Sequence, residues 1–215
     1  MIEVFRTSAN HLSEEMTFRV FTPDSYDEKK AFPVLYMQDG QNVFKDEDAV
    51  DGESLNFLSY YKKYKAFLPE IIIVAIDCPM NNDRRTALYI PYSFDFSKSP
   101  STTGYANSLI GKGEEYLLWI IEELKPWIDA RYSTIPDARY TGIGGDSSAG
   151  VLSLYAMLKY PRYFQRFIAL SGAFYLWMND LLKTMRKENY SFEYGYIDIG
   201  TKDSGRLTDN KQFLL

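Results

Sequence analysis

The chain has one cysteine, Cys78, and one histidine, His11, among its 215 residues. A lone thiol excludes an internal disulfide framework and fits a reducing compartment, so a cytoplasmic protein is expected. With no histidine near it in sequence, Cys78 reads as a passive thiol beside a strand end, not as a nucleophile. Basic charge is also in short supply. Lys and Arg number 24 against 29 Asp and Glu, a formal net charge of -5, and no basic run offsets it. Nucleic acid is therefore not an expected partner. No apolar window approaches the length of a membrane span, and Met1–Val4 lacks the basic and apolar regions of a signal peptide, so no membrane partner is expected either. What remains is ordinary for a globular protein: 46% apolar and 25% charged residues in a chain long enough to bury one sizeable core.

Strand-like and helix-like segments alternate, the pattern of a mostly parallel sheet covered by helices on both faces. Thr17–Phe21 alternates like a half-buried antiparallel or edge strand, and Thr22-Pro23-Asp24 stops it. Pro33–Gln38 and Ile71–Ile76 are nearly continuous apolar runs suited to central parallel strands. Tyr140–Ile143, Phe167–Ser171 and Tyr194–Ile199 are further strand candidates. Helices are expected over Glu114–Ile128, with a kink or stop near Pro126, over Ala149–Lys159, and over Ala173–Lys187. The polar stretch 81–113 reads as a long excursion over the rim of the sheet, where Tyr89, Tyr92 and Tyr105 could line a pocket or simply face solvent. No second domain or linker is apparent, so residues 1–215 are taken as one domain.

The most informative run is Gly144-Gly145-Asp146-Ser147-Ser148-Ala149-Gly150, between a strand candidate and a helix candidate. A serine among small residues at such a corner suits a nucleophile elbow, whose tightness leaves no room for large flanking side chains. Ser147, with Gly145 two before it and Ala149 two after, is favoured over Ser148 as nucleophile; a plain glycine-rich turn with a capping serine is the alternative. Met37–Asn42 follows a buried strand, and Gly40 lets the backbone turn so that the amides of Gln41 and Ser148 could form an oxyanion hole. An ordinary Asp-Gly turn would look the same. Asp203, in the loop after the last strand candidate, stands where a triad acid belongs, although such loop carboxylates are usually just solvated.

These segments resemble, nearly end to end, the esterase branch of the α/β-hydrolases, which holds siderophore esterases, feruloyl and acetylxylan esterases, S-formylglutathione hydrolase and the mycolyltransferases. The resemblance rests on Phe32–Phe44, Glu123–Asp129, the Ser147 corner with Leu152–Tyr155, Leu158–Phe164 and Ile197–Asp203. It implies an α/β-hydrolase three-layer sandwich, Ser147 as nucleophile, Gln41 and Ser148 N–H as oxyanion donors, and Asp203 as the acid orienting a histidine. It implies no metal and no cofactor. Three positions depart from the pattern: Ala149 replaces a usual glycine, Leu88 stands where a Glu is common, and no histidine follows Asp203 before Leu215. His11 precedes the first strand candidate and is a poor substitute for the base.

The expectation is therefore a C-terminally truncated serine carboxylesterase, lacking the last strand and helix, that acts through an acyl-enzyme on a small or carbohydrate-linked ester and is impaired by the absent histidine. A non-catalytic ligand-binding protein on the same scaffold is the alternative. An uncovered sheet edge predicts homo-oligomeric association.

Overall fold

The structure, a computed structural model, describes residues 1–93 and 109–200. The candidate acid Asp203, the rim residue Tyr105 and the segment Gln212–Leu215 lie outside these residues. The strands are β1 (Ile2–Ala9), β2 (Glu14–Phe21), β3 (Val34–Gln38), β4 (Ile72–Ile76), β5 (Thr141–Asp146), β6 (Arg166–Leu170) and β7 (Tyr194–Ile197). The helices are α1 (Phe57–Tyr64), α2 (Asn82–Tyr89), α3 (Gly113–Trp119), α4 (Lys125–Arg131), α5 (Ser148–Lys159) and α6 (Phe174–Lys187). One seven-stranded sheet runs in the order β1-β2-β4-β3-β5-β6-β7, antiparallel at β1/β2 and β2/β4 and parallel elsewhere. This is the mostly parallel α/β architecture that the segment pattern predicts.

The buried runs dictate the centre. All five residues of β4 are buried, as expected of a strand covered on both faces. One face carries Val34, Tyr36, Ile72, Val74 and Ile143, packed with Tyr116, Trp119, Ile120, Val151 and Leu152 from the helices. The opposite face carries Met37, Ile73 and Ala75, which pack with Phe21, Phe44 and Tyr61 of α1. Farther along that face, a groove of about 300 Å³ opens beside Leu35, Ile71, Tyr140, Ile168 and Tyr194. Among the described residues β7 forms one edge of the sheet, and all four of its residues are exposed.

Several elements differ from the sequence expectations. β1 is unforeseen because its apolar alternation is broken: Val4 is 58% exposed while Phe5 packs on the core. The 81–113 excursion opens with helix α2, capped by Asn81, whose side chain accepts the Arg84 N–H. Pro126 does not end its helix. Residues Ile120–Leu124 widen into a π-turn between α3 and α4, and the helix continues to Arg131. A proline removes one donor and crowds the preceding turn, and a π-turn is one way to absorb both. β5 runs on through Gly144, Gly145 and Asp146, which pair with Ile168, Ala169 and Leu170 of β6, so the sharp corner comes later than the glycines suggest.

Candidate active site

The corner falls at Ser147. Its backbone has φ 58 and ψ -117, in a region that a residue with a Cβ occupies only when its surroundings compel it, at a cost of roughly 1–3 kcal/mol. The compulsion is visible. The Ser147 N–H donates to Leu170 O at 2.9 Å, and its carbonyl accepts from Gly150 N–H at 3.1 Å and Ala173 N–H at 3.0 Å. Strand β6, the start of α5 and the loop before α6 thus converge on this one residue. Ser147 is half-buried, whereas Ser148 sits inside the first turn of α5 and is buried.

Steric demand explains the small neighbours. A Cβ on Gly145 would lie 2.4 Å from Ala149 Cβ and 3.1 Å from Gln38 Cβ. The methyl of Ala149 occupies the space that Gly145 leaves, so the alanine at this position fits without displacing the helix. The N–H groups of Ser148 and Ala149, the first two of α5, lie at the corner, where a helix leaves its leading donors without intrahelical acceptors.

β3 lies directly beside β5, with Met37 opposite Gly144, so the two strands end side by side, and Asp39 and Asn42 of the turn after β3 line one cleft with Asp146, the residue before Ser147. Asp39 takes a left-handed conformation, φ 55, and Gly40–Asn42 form a short 3₁₀ turn. Gly40 is pressed onto the end of β4: a Cβ there would sit 2.5 Å from the Ala75 carbonyl. Only glycine lets this turn lie so close. Within the turn the Asn42 N–H donates to Asp39 O at 2.7 Å, whereas the Gln41 N–H stands one position too early to find an acceptor inside it.

A buried polar network secures the turn. Asp39, almost fully buried, receives two hydrogen bonds from Arg85 of α2, Nε to Oδ1 at 2.7 Å and Nη2 to Oδ2 at 2.6 Å. Tyr89 accepts the Asp39 N–H and donates to Oδ1, both at 3.2 Å. Burial opposes the charge of Arg85, but hydrogen bonding and attraction to Asp39 outweigh it, and the guanidinium pKa is raised. Burial pushes the Tyr89 phenol well above its ordinary range, so it stays a neutral donor. The Gln41 carboxamide reaches the end of β4, where Oε1 accepts the Cys78 N–H at 3.0 Å and Nε2 donates to Cys78 O at 3.3 Å and Sγ at 3.0 Å. Burial, then the nearby Asp39 charge, lifts the Cys78 thiol to about 12, in keeping with a passive thiol. Arg85, Tyr89 and the Gln41 side chain carry no local sequence signal for these roles.

A cleft of about 270 Å³ opens over the strand ends, lined by Gln38, Asp39, Asp146, Leu170 and the Glu53–Leu55 segment. His11 is not part of this region. It lies in the β1–β2 turn and meets Glu122 at 2.9 Å and Glu123 at 3.9 Å. β2 is separated from β5 by three strand spacings, roughly 14 Å. Asp198, at the end of β7, accepts the Ser171 N–H at 2.6 Å and a hydrogen bond from Tyr196 OH at 3.2 Å, tying β7 to the loop that holds Ser147.

Against known proteins, the model of the Esterase family, described as "Putative esterase", matches residues 9–212. The chain belongs to the Esterase family. Relatives of this esterase-family chain include the protein YbbA of Bacillus subtilis (strain 168), 25% identical over 82% of this chain and 64% of YbbA. YjcH of the same organism is 26% identical over 96% of this chain and 75% of YjcH. Solved structures with the same fold include an IroE-like serine hydrolase from Shewanella oneidensis, with a TM-score of 0.68 and 20% identity over 87% of this chain and 55% of that one. An enterobactin esterase from Shigella flexneri superposes with a TM-score of 0.57 and 18% identity, over 81% of this chain and 37% of that one. The chain thus spans less than two thirds of YbbA and of these two hydrolases. Among the described residues, no helix is long and apolar enough to cross a membrane.

Proposed function

We propose that this esterase-family chain carries the acylation half of a serine carboxylesterase site, with Ser147 as nucleophile and the main-chain N–H groups of Gln41 and Ser148 as oxyanion donors. The observation that carries this reading is the forced backbone of Ser147 at the β5–α5 corner beside the β3 turn. Strain at a single serine, held by three flanking segments, is what a projecting nucleophile requires. In the proposed step Ser147 Oγ bonds to the ester carbonyl carbon, and its proton passes to a base. The carbonyl oxygen gathers negative charge between the two amides, and the alcohol leaves as the C–O bond breaks. Water then releases the acid. The family pattern assigns Asp203 to orient the base. His11, paired with Glu122 in the β1–β2 turn, is not assigned that role. The cleft over the strand ends has room for one arm of a small or carbohydrate-linked ester.

The alternative, a ligand-binding protein on the same scaffold, makes the opposite prediction for Ser147. Labelling with a fluorophosphonate probe, and hydrolysis of p-nitrophenyl acetate, separate the two. The esterase reading expects Ser147-dependent labelling and turnover, lost in Ser147→Ala; labelling that is identical in wild type and Ser147→Ala overturns it.

A further inference from the structure

We infer that the side chain of Gln41 is a positioning residue for its own main-chain N–H, clasping the oxyanion turn to the end of β4 through the backbone of Cys78. The inference rests on the proposal that this amide is an oxyanion donor. The clasp is two-sided: the carboxamide oxygen accepts the Cys78 N–H and its nitrogen donates to the Cys78 carbonyl, as one peptide pairs with another in a sheet. β3 and β4 are paired up to Gln38 and Ile76, and past that register the strands separate. The Gln41 carboxamide takes over where the ladder ends. It acts beside two other restraints, the glycine-only approach of Gly40 to Ala75 and the Arg85–Asp39 pair that fixes the left-handed residue before it. Those two fix the start of the turn. Among the described residues the Gln41 clasp is what holds the residue whose N–H is used, and donors that stabilise a developing oxyanion act through placement made before the reaction. A longer, shorter or purely apolar side chain would keep the turn buried and lose the aim.

The groups facing the clasp are Asp39 on the same turn, Asp77 and Cys78 at the end of β4, and Arg85 from α2; Asp39 is paired with Arg85 and Asp77 with Arg19. The charges of both pairs are thus compensated, which makes a specific test available. In Gln41→Glu, a protonated carboxylic acid offers one acceptor and one donor, as the amide does, whereas the carboxylate has no donor and faces the Cys78 carbonyl. The rate of Ser147 labelling by a fluorophosphonate, as a function of probe concentration and pH, is the measurement. Gln41→Leu is expected to slow the maximal rate about tenfold or more with little change in half-saturating concentration, a part of the roughly hundredfold or greater loss that removal of a donor brings. Relative to wild type, Gln41→Glu is expected to be slow at pH 8 and to recover toward pH 5, while the Gln41→Leu ratio stays flat. Melting curves at both pH values establish that each variant is folded at the assay temperature. A Leu variant within twofold of wild type, or a flat Glu ratio, overturns the inference. Wild type labelled no faster than Ser147→Ala instead removes the esterase reading beneath it, a distinguishable result.

Discussion

Replacing Arg85 with methionine keeps much of the aliphatic stem and removes the guanidinium that, among the described residues, meets the Asp39 carboxylate, whose side chain is 6% exposed. Breaking one half of a buried pair typically costs about 3–5 kcal/mol, because the remaining charge is stranded. Urea unfolding at pH 7, followed by fluorescence of the buried Trp119 and Trp177, should therefore show Arg85→Met destabilised by about 3–5 kcal/mol. Adding Asp39→Asn should recover much of that loss, since asparagine leaves no charge to strand and tolerates the left-handed φ of 55. A destabilisation below about 1 kcal/mol, or no recovery in the double variant, would refute the view that Arg85 is what compensates the buried Asp39 carboxylate.

With its thiol raised to about 12, Cys78 should react with a disulfide reagent at pH 8 on the order of a thousandfold more slowly in the native protein than in urea, with the native rate climbing only as pH approaches 12. His11→Ala should change Ser147 labelling less than twofold and stability by about 0.5 kcal/mol or less, since its partner Glu122 is solvent-exposed; a large loss of labelling would reinstate His11 as the base. Gly145→Ala should destabilise by about 1–3 kcal/mol, read by thermal melting, because its methyl would meet Ala149 at 2.4 Å.

The elements legible in the sequence are those whose burial is continuous or strictly periodic. β4 is apolar throughout, β3 is apolar up to Gln38, and α5 buries ten of its twelve residues, so composition alone marks them. β1 and α1 are not legible for the opposite reason. β1 is an edge strand exposing Val4, and α1 buries only Tyr61, with exposed Tyr60 and Tyr64 stacked on its outer side. Half-buried elements at the margin of a sheet draw their stability from one contact face, and aromatic residues on the free face erase the period. Pro126 misleads differently: a local rule about proline is correct, but the chain answers it with a π-turn, a solution invisible until the helix is packed.

The site divides along the same line between local and distant causes. Ser147 is conspicuous because the steric limits on a tight corner act within two residues, on Gly145 and Ala149. The turn after β3 shows only its Asp-Gly dipeptide, which any turn could carry. What makes that turn particular is supplied from afar: Arg85 and Tyr89 stand 46 and 50 residues beyond Asp39, and Cys78 37 beyond Gln41. A parallel sheet forces this separation, because neighbouring strand ends are joined only through long crossovers. Side chains that brace a turn therefore come from crossovers other than its own. Such residues need only reach, a donor and an acceptor, so their type says little; Gln41 could be read as a backbone donor from its place after Gly40, but its carboxamide acquires meaning only when β4 ends beside it. It follows that the residues hardest to foresee here are the ones that hold the main chain in position, and that Gln41→Leu tests more of the site than any substitution suggested by the Ser147 corner alone.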